Sequence, residues 1–395
     1  MNGITIEGAR NRYPHLRFAR NWDLTAHAMY ELGQCDALVR AISNTPILPV
    51  YYSELLALSL SKGAQATTAI EGNTLTDDEI ARVARGQSLP PSKGYQEKEV
   101  KNILDAYNAI LALAVGDGIE QRITPELLLH FHKMIGKDLG EHFDAVPGQL
   151  RTDPRIVGPY RCPNHEHVRN LVEFLCNWLP QEFHFGSGQT FAEAVVQAIV
   201  THVYIEWIHP FGDGNGRTGR LVEFYVLLRA GTPDIASHIL SNFYNETRSE
   251  YYRQLQVANS KRDLTGFIEY AVIGLSDGLL RTLETIQQSQ FKLTWIKLIY
   301  DRFAEKKYTK RNVFRRQRML ALSFPTNTPV TLTEVPLINP EVAREYANLS
   351  GRTVRRDIDV LIELGILNEH DDQFFANTGA LRGQLARRTR GASAV

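Results

Sequence analysis

His209-Pro-Phe-Gly-Asp-Gly-Asn-Gly-Arg-Thr-Gly-Arg220 gathers an imidazole, a carboxylate, an amide, four glycines and two guanidinium groups into twelve residues. Before it, from Phe191 to Trp207, apolar residues recur at three- and four-residue spacing (Ala192, Val195, Val196, Ile199, Val203, Trp207). After it, Leu221, Phe224, Tyr225 and Leu228 fall on one face. That period is helical, so the stretch is a loop that runs straight into a helix N-terminus. Unpaired N–H groups and the positive end of the helix dipole face outward there, and together they suit a polyphosphate.

Each residue type has a physical reason. Gly214 and Gly216 are expected to take positive φ and let the main chain approach phosphate oxygens as an anion-holding nest. Asp213 is a hard oxygen ligand suited to Mg²⁺, which binds through one or two carboxylates plus substrate phosphates. Arg217 and Arg220 lie three apart on the first helical turn, so both forks can reach one anion. His209 can take a proton from an attacking hydroxyl near neutral pH. Phe211 is expected to turn into the core and fix the loop.

The full spacing H-P-F-x-D-G-N-G-R-x-x-R resembles the signature of the Fic/Doc family, with every specified position filled. The resemblance implies a mainly α protein, a Fic-fold helical bundle that moves AMP from ATP onto a protein Ser, Thr or Tyr hydroxyl. It implies His209 as general base and Asp213 as the Mg²⁺ ligand. Asn215 and the amides around Gly214 and Gly216 would grip the α-phosphate, and Arg217 and Arg220 the distal phosphates. His202, seven residues before His209, is also in the usual place. Tyr251-Tyr252-x-x-Leu255-x-x-x-Asn259 looks like the helix that lines the adenosine pocket, through Tyr252, Leu255 and Asn259. Doc-type members, which transfer phosphate, carry lysine where Gly216 stands, so the glycine favours AMP transfer. The likeness covers about residues 45–285.

Upstream, Thr67-Thr-Ala-Ile-Glu71-Gly72 fits a second pattern, [S/T]-x-x-x-E-[G/N], closing an apolar-periodic helix expected over about 52–72. Gly72-Asn73 is an adequate helix stop, and Thr76-Asp-Asp-Glu79 a capping box for the next helix. The stretch resembles the family's inhibitory helix, which implies a salt bridge from Glu71 to Arg220. A carboxylate there occupies the guanidinium that should hold the γ-phosphate. Some members with this glutamate instead remove AMP, so an AMP-removing hydrolase that uses Glu71 stays open beside the transferase.

Pro147 to Tyr160, with three prolines and two glycines besides the β-branched pair Ile156-Val157, reads as turn and hairpin. By resemblance this hairpin is a flap that registers the target's main chain by strand addition, with Arg155, Ile156 and Val157 as the flap residues. Asn164 caps the helix that follows. The pairs His130/His132 and His165/His167 are i, i+2, which diverge on a helix and lack a third ligand at zinc-site spacing.

Composition is that of an ordinary globular protein: 43% hydrophobic and 22% charged residues, and no run near the roughly 18 apolar residues a membrane helix requires. Three cysteines at unrelated spacings argue against a disulfide framework and fit a reducing cytoplasm. Charge is divided: residues 301–395 hold 16 Lys+Arg against 11 Asp+Glu, the remainder 28 against 33. The expected organisation is an N-terminal helical region to 110, a Fic core over 111–285, a helical linker over 286–318, and a terminal domain with its tail over 319–395. In that last segment helix 341–347, a turn at Leu349-Ser-Gly351, a helix capped by Thr353, and strands at 366–369 and 373–376 follow the order of a winged helix-turn-helix. Arg352, Arg355 and Arg356 open its second helix, whereas Asp357, Asp359 and Glu363 on the same helix weaken a DNA reading. The expected partners are ATP, a protein target or a second copy of the chain as a homodimer, and DNA or protein at the terminal domain, with no membrane. A DNA-binding regulator whose core senses nucleotide is the reading from another class.

Overall fold

Thr190 starts the helix around which everything near the motif is packed. Its hydroxyl accepts from Glu193 N–H while Glu193 reaches back, a capping box, and the helix runs Phe191–Ile208. It is apolar on all sides and correspondingly buried, from Ala194 through Ile205 without a break. By length and composition it is long and apolar enough to cross a membrane, contrary to the sequence expectation, but 78% of it is buried inside the protein. The motif helix, Asn215–Arg229, packs along it. A Cβ on Gly219 would stand 2.6 Å from the His202 ring, so the glycine permits this close approach.

The computed structural model describes residues 4–115, 122–184, 189–306, 310–379 and 381, which divide into two units, 1–286 and 287–395. In the first, the helix Pro49–Ile70 ends with Glu71 as its C-cap residue. The predicted capping box of Thr76 and Glu79 opens the next helix, Asp77–Ala84. Helices Gly94–Val115, Pro125–Ile135, His165–Glu182 (capped by Asn164 as expected), Ile239–Glu246 and Arg248–Lys261 complete the surround. Their apolar faces form one continuous core that also takes in Ala9, Leu16, Phe18 and Trp22 from the N-terminal segment. The expected separation of residues 1–110 from a core over 111–285 therefore does not hold. Helix Gly94–Val115 runs through that boundary and shares the same core.

The expected linker over 286–318 does not hold either. Trp295, Leu298, Ile299 and Phe303 of the long helix Thr265–Glu305, and Leu320 and Ala321 of helix Arg311–Ser323, are buried in the core of the second unit. That unit continues with strand Val330–Thr331, helices Pro340–Tyr346 and Gly351–Glu363, and strands Leu367–His370 and Gln373–Ala376. Its three strands form an antiparallel sheet with Gln373–Ala376 in the middle. The first strand was not foreseen. Ser350 rather than Thr353 stands at the N-cap of the second helix.

Asp357, one of the three acids that weaken a DNA reading of that helix, is fully buried. It accepts from Arg316 Nε at 2.7 Å, Gln317 Nε2 at 2.7 Å and the Tyr346 hydroxyl at 3.1 Å. Arg355, at the start of the same helix, is held by Glu369 at 2.6 Å and by Asp359 at 2.8 Å. Removing one partner of a buried pair leaves a charge without compensation, at about 3–5 kcal/mol. Asp357→Ala should therefore unfold the second unit at lower urea. A denaturation midpoint equal to that of the natural protein would show that the Arg316 contact carries no stability.

Candidate active site

The motif loop is bracketed by two left-handed residues. His209, the C-cap of the central helix, has φ 50°, and Gly214, the N-cap of the motif helix, has φ 78°. A non-glycine residue in that region is uncommon and held only by its surroundings. Gly216, in contrast, is helical and not at positive φ, contrary to expectation. What the site uses is its missing side chain, because a Cβ there would collide with the Glu71 carboxylate and crowd Arg220 Nη1 and Glu206.

Asn215 also differs from its expected role. Its amide is buried and closes the loop on itself, Oδ1 accepting from Phe211 N–H at 2.9 Å and Nδ2 donating to Phe211 C=O at 3.0 Å. Phe211 is buried as predicted and stacks on His132, ring centroids 3.8 Å apart and 3° from parallel. His132 is no metal ligand; it is a fastener. One ring nitrogen accepts from Gly148 N–H at 3.0 Å, so the other, Nε2, donates to the Asp213 carbonyl at 3.0 Å. Burial lowers its pKa to about 4, which keeps this neutral tautomer at ordinary pH. Among the described residues no group of three or more His, Cys, Asp or Glu is placed to hold a metal ion. Asp213 is about one-third exposed, a lone carboxylate beside the helix N-terminus. Such a donor set fits a cation that takes its other ligands from phosphate and water.

Both arginines are buried and both are occupied. Arg220, 1% exposed, donates through Nε to Thr67 Oγ1 at 2.8 Å and through Nη2 to Thr67 C=O at 3.1 Å and Glu71 Oε1 at 2.5 Å. Its Nη1 is buried without a partner. Burial by itself would lower the Arg220 pKa, but the Glu71 carboxylate overrides this and raises it. Arg217, 3% exposed, donates to Glu99 Oε1 at 2.6 Å and to Asp213 Oδ1 at 2.8 Å. Glu71 is thus brought to Arg220 as the resemblance implied, with Thr67 of the same pattern beside it, whereas Glu99 has no sequence signature.

His209 is mostly buried, and burial lowers its pKa below 6.5. Behind it lies a charged network of Glu206, His202, Glu223, Tyr244 and Tyr251. His202 meets Glu223 at 2.8 Å, the Tyr251 hydroxyl at 3.0 Å and Glu206 at 3.6 Å. Desolvation would lower the His202 pKa, but Glu223 and Glu206 raise it to about 9, so it is cationic. In front, Arg151 donates Nε to the His209 carbonyl at 2.7 Å, and its other nitrogens to the carbonyls of Asp153 at 2.6 Å and Pro163 at 2.5 Å. Its own N–H reaches Pro210 C=O at 2.9 Å.

The flap is a two-residue ladder, Ile156–Val157 paired with Tyr160–Arg161. Ile156 is 65% and Val157 45% exposed, two apolar side chains offered to solvent. Arg155 is not offered with them. It is tied to Asp144 and, at 2.9 Å, to Asp153, and lies over Gly212 of the motif loop. Tyr160 fastens the hairpin from behind, donating to Trp207 C=O at 2.6 Å and meeting His15 at 2.9 Å. On the expected adenosine side, Tyr252 is half-exposed and donates to Ile70 C=O at 3.1 Å, against the end of the Glu71 helix. Leu255 packs at the margin of the core. Asn259 sits two turns beyond Tyr252 on the same helix, with its Nδ2 buried and unpartnered.

Comparison with known proteins agrees with this geometry. Residues 122–227 match the model of the Fic/DOC family. Protein adenylyltransferase fic-1 of Caenorhabditis elegans is 29% identical over 239 residues, 60% of this chain and 41% of that protein. Protein adenylyltransferase Fic of Aedes aegypti is 29% identical over 251 residues, 63% of this chain and 43% of that protein. The chain thus spans about two-fifths of the length of these curated relatives. Among solved structures, a Fic family protein from Desulfovibrio desulfuricans G20 superposes with a TM-score of 0.56 at 19% identity, over 91% of this chain and 98% of that one. Fic-1 (aa134–508) of C. elegans gives 0.52 at 23% identity, over 66% and 73%.

Arg151 is the part of this site with the clearest test. Truncation leaves three carbonyls, of which that of Pro163 is buried, without their donor, each hydrogen bond to a charged group contributing about 1.5–3 kcal/mol. Arg151→Ala should cost about 3 kcal/mol or more in urea unfolding. Arg151→Lys, which cannot serve three carbonyls in one plane, should recover only part of this. Full recovery by lysine would show that charge, not the planar fork, holds the His209 carbonyl.

Proposed function

We propose that this chain, whose residues 122–227 match the Fic/DOC family model, is a protein adenylyltransferase, transferring AMP from ATP to a hydroxyl of a protein and restrained by Glu71. The single observation that carries this reading is the contact of Glu71 with the buried Arg220, placed over Gly216 at the N-terminus of the motif helix. The names of the relatives, protein adenylyltransferases, supply the reaction class.

In this reading the polyphosphate lies along the turn from Gly214 to Arg220, with helix N–H groups aimed at it. Arg220 takes the terminal phosphate once Glu71 leaves. Asp213 would hold Mg²⁺ together with phosphate oxygens, and the ion's chemistry is to neutralise phosphate charge. His209, neutral because its pKa is depressed, accepts the proton of the incoming hydroxyl. That oxygen then bonds to the α-phosphorus as the bond to the departing pyrophosphate breaks. A positioned base of this kind contributes about 10²–10⁴-fold. The exposed Ile156–Val157 strand aligns the target segment by its main chain.

The second unit fits a winged helix by element order, and we read it as a protein-contact module rather than a DNA reader. Arg355 is neutralised by Asp359 and Glu369, which leaves Arg352 and Arg356 as the exposed cations at the start of that helix.

Glu71→Gly should raise transfer of label from α-labelled ATP, to the protein itself or a lysate target, by more than tenfold, and His209→Ala in that background should abolish it. Loss of activity in Glu71→Gly would instead identify an AMP-removing hydrolase, in which the carboxylate is needed. The pH profile gives a separate check. The active base is neutral imidazole, and burial holds its pKa below 6.5. Removing the Glu71 charge, which raises that pKa, depresses it further. The rate of Glu71→Gly should fall to half its plateau only below pH 6.5; a half-point above pH 7 would exclude His209 as that base.

A further inference from the structure

Glu71 is not the only carboxylate that occupies a phosphate-binding arginine. Glu99, on helix Gly94–Val115, holds Arg217 at 2.6 Å, and both side chains are buried, 7% and 3% exposed. The two arginines stand one turn apart on the motif helix, so each has its own acid from a different segment. A single side chain joins those segments. Asn73, two residues after Glu71, is buried and donates Nδ2 to Glu99 Oε2 at 3.1 Å and to Gln96 C=O at 3.0 Å. Its Oδ1 accepts from Leu75 N–H at 3.1 Å, and its own N–H donates to Thr68 C=O at 3.1 Å. The turn that carries Glu71 is therefore tied at one end to the brake helix and at the other to the carboxylate on Arg217.

We propose that Glu99 is a positioning residue for Arg217, and that Asn73 couples it to Glu71, so that the holds on Arg217 and Arg220 are released together. This rests on the reading of Glu71 as the brake. The physical reason is geometric. Glu71 is the C-cap of its helix, and Gly72 at φ 102° is the only residue between it and Asn73. Glu71 cannot withdraw from Arg220 by a main-chain movement of that turn without straining the Asn73 contacts to Glu99 and Gln96. With the Asn73 donor in place, the closed state is favoured by both contacts. With it gone, Glu71 is held by its own ion pair alone, while Glu99 keeps Arg217 and the Tyr95 hydroxyl, which donates to it at 3.0 Å. The tether adds to the brake without touching the nucleotide.

Asn73→Asp keeps the acceptor for Leu75 N–H, removes the donor, and sets a like charge against Glu99. In the protein with Glu71 intact, label transfer from α-labelled ATP at saturating ATP should rise about five- to tenfold, the factor for one buried hydrogen bond. Asn73→Ala should act in the same direction. In the Glu71→Gly background neither variant should change kcat by more than about twofold, because the tether then has nothing to restrain. Amide hydrogen exchange over residues 70–74 should quicken in both variants, which is read without any activity. Unchanged transfer in Asn73→Asp while Glu71→Gly is activated overturns the coupling and leaves the brake standing. An equal change in both backgrounds also overturns it, since the effect would then act on the site itself. Unaltered exchange across 70–74 overturns it whatever the activities show, whereas a silent Glu71→Gly overturns the parent reading.

Discussion

Two guanidinium groups buried one turn apart on the same helix set the terms for the rest of the first unit. A charge removed from water is tolerated only when it is paired and hydrogen-bonded, and Arg217 and Arg220 are 3% and 1% exposed. Their partners come from distant parts of the chain: Thr67 and Glu71 from one helix end, Glu99 from another helix, Asp213 from the motif loop. Those segments must converge on one helical turn, and their convergence fixes much of the bundle around it. The carboxylates satisfy the arginines, and in the proposed function they are what an incoming polyphosphate would replace, so that the contacts that stabilise the bundle would also restrain the reaction.

A second constraint is positional. The loop between His209 and Gly214 is short, turned at both ends by left-handed residues, and pinned from three directions: Asn215 from within, His132 below Asp213 and Phe211, and Arg151 on the His209 carbonyl. None of these three needs to touch a substrate. Each holds backbone atoms in place, and fixed dipoles and donors stabilise charge without the cost of reorganising when it forms. The flap is tethered to the same loop, through Arg155 over Gly212 and Tyr160 on the Trp207 carbonyl. The exposed pair Ile156 and Val157 is thereby held in register with His209.

The residues that could be read from sequence share a property: their signal is local. The periodicity on both sides of the motif, the Thr76–Glu79 box, the Asn164 cap and the hairpin at Ile156–Val157 follow from neighbours within a few positions, and all are present. The misreadings share the opposite property. Asn215, placed at the α-phosphate by resemblance, spends its side-chain amide on the Phe211 backbone. Asp357 counts in the sequence only as an acid against DNA, yet it is buried and its partners, Arg316, Gln317 and Tyr346, lie on two other helices. Glu99, Asn73, Arg151 and His132 carry no motif of their own. Their roles exist only through contacts 26 to 118 residues distant in the chain, or with main-chain carbonyls that any sequence possesses.

From the order of its amino acids alone, this chain determined that a base, a carboxylate and two arginines would stand where a loop becomes a helix, because helix period, glycine and capping chemistry act over one or two turns. Which acids would neutralise those arginines was decided by tertiary structure. So was the direction of each buried amide and imidazole. A buried charge takes whatever partner packing brings within three ångströms, and sequence distance imposes no limit on where that partner comes from.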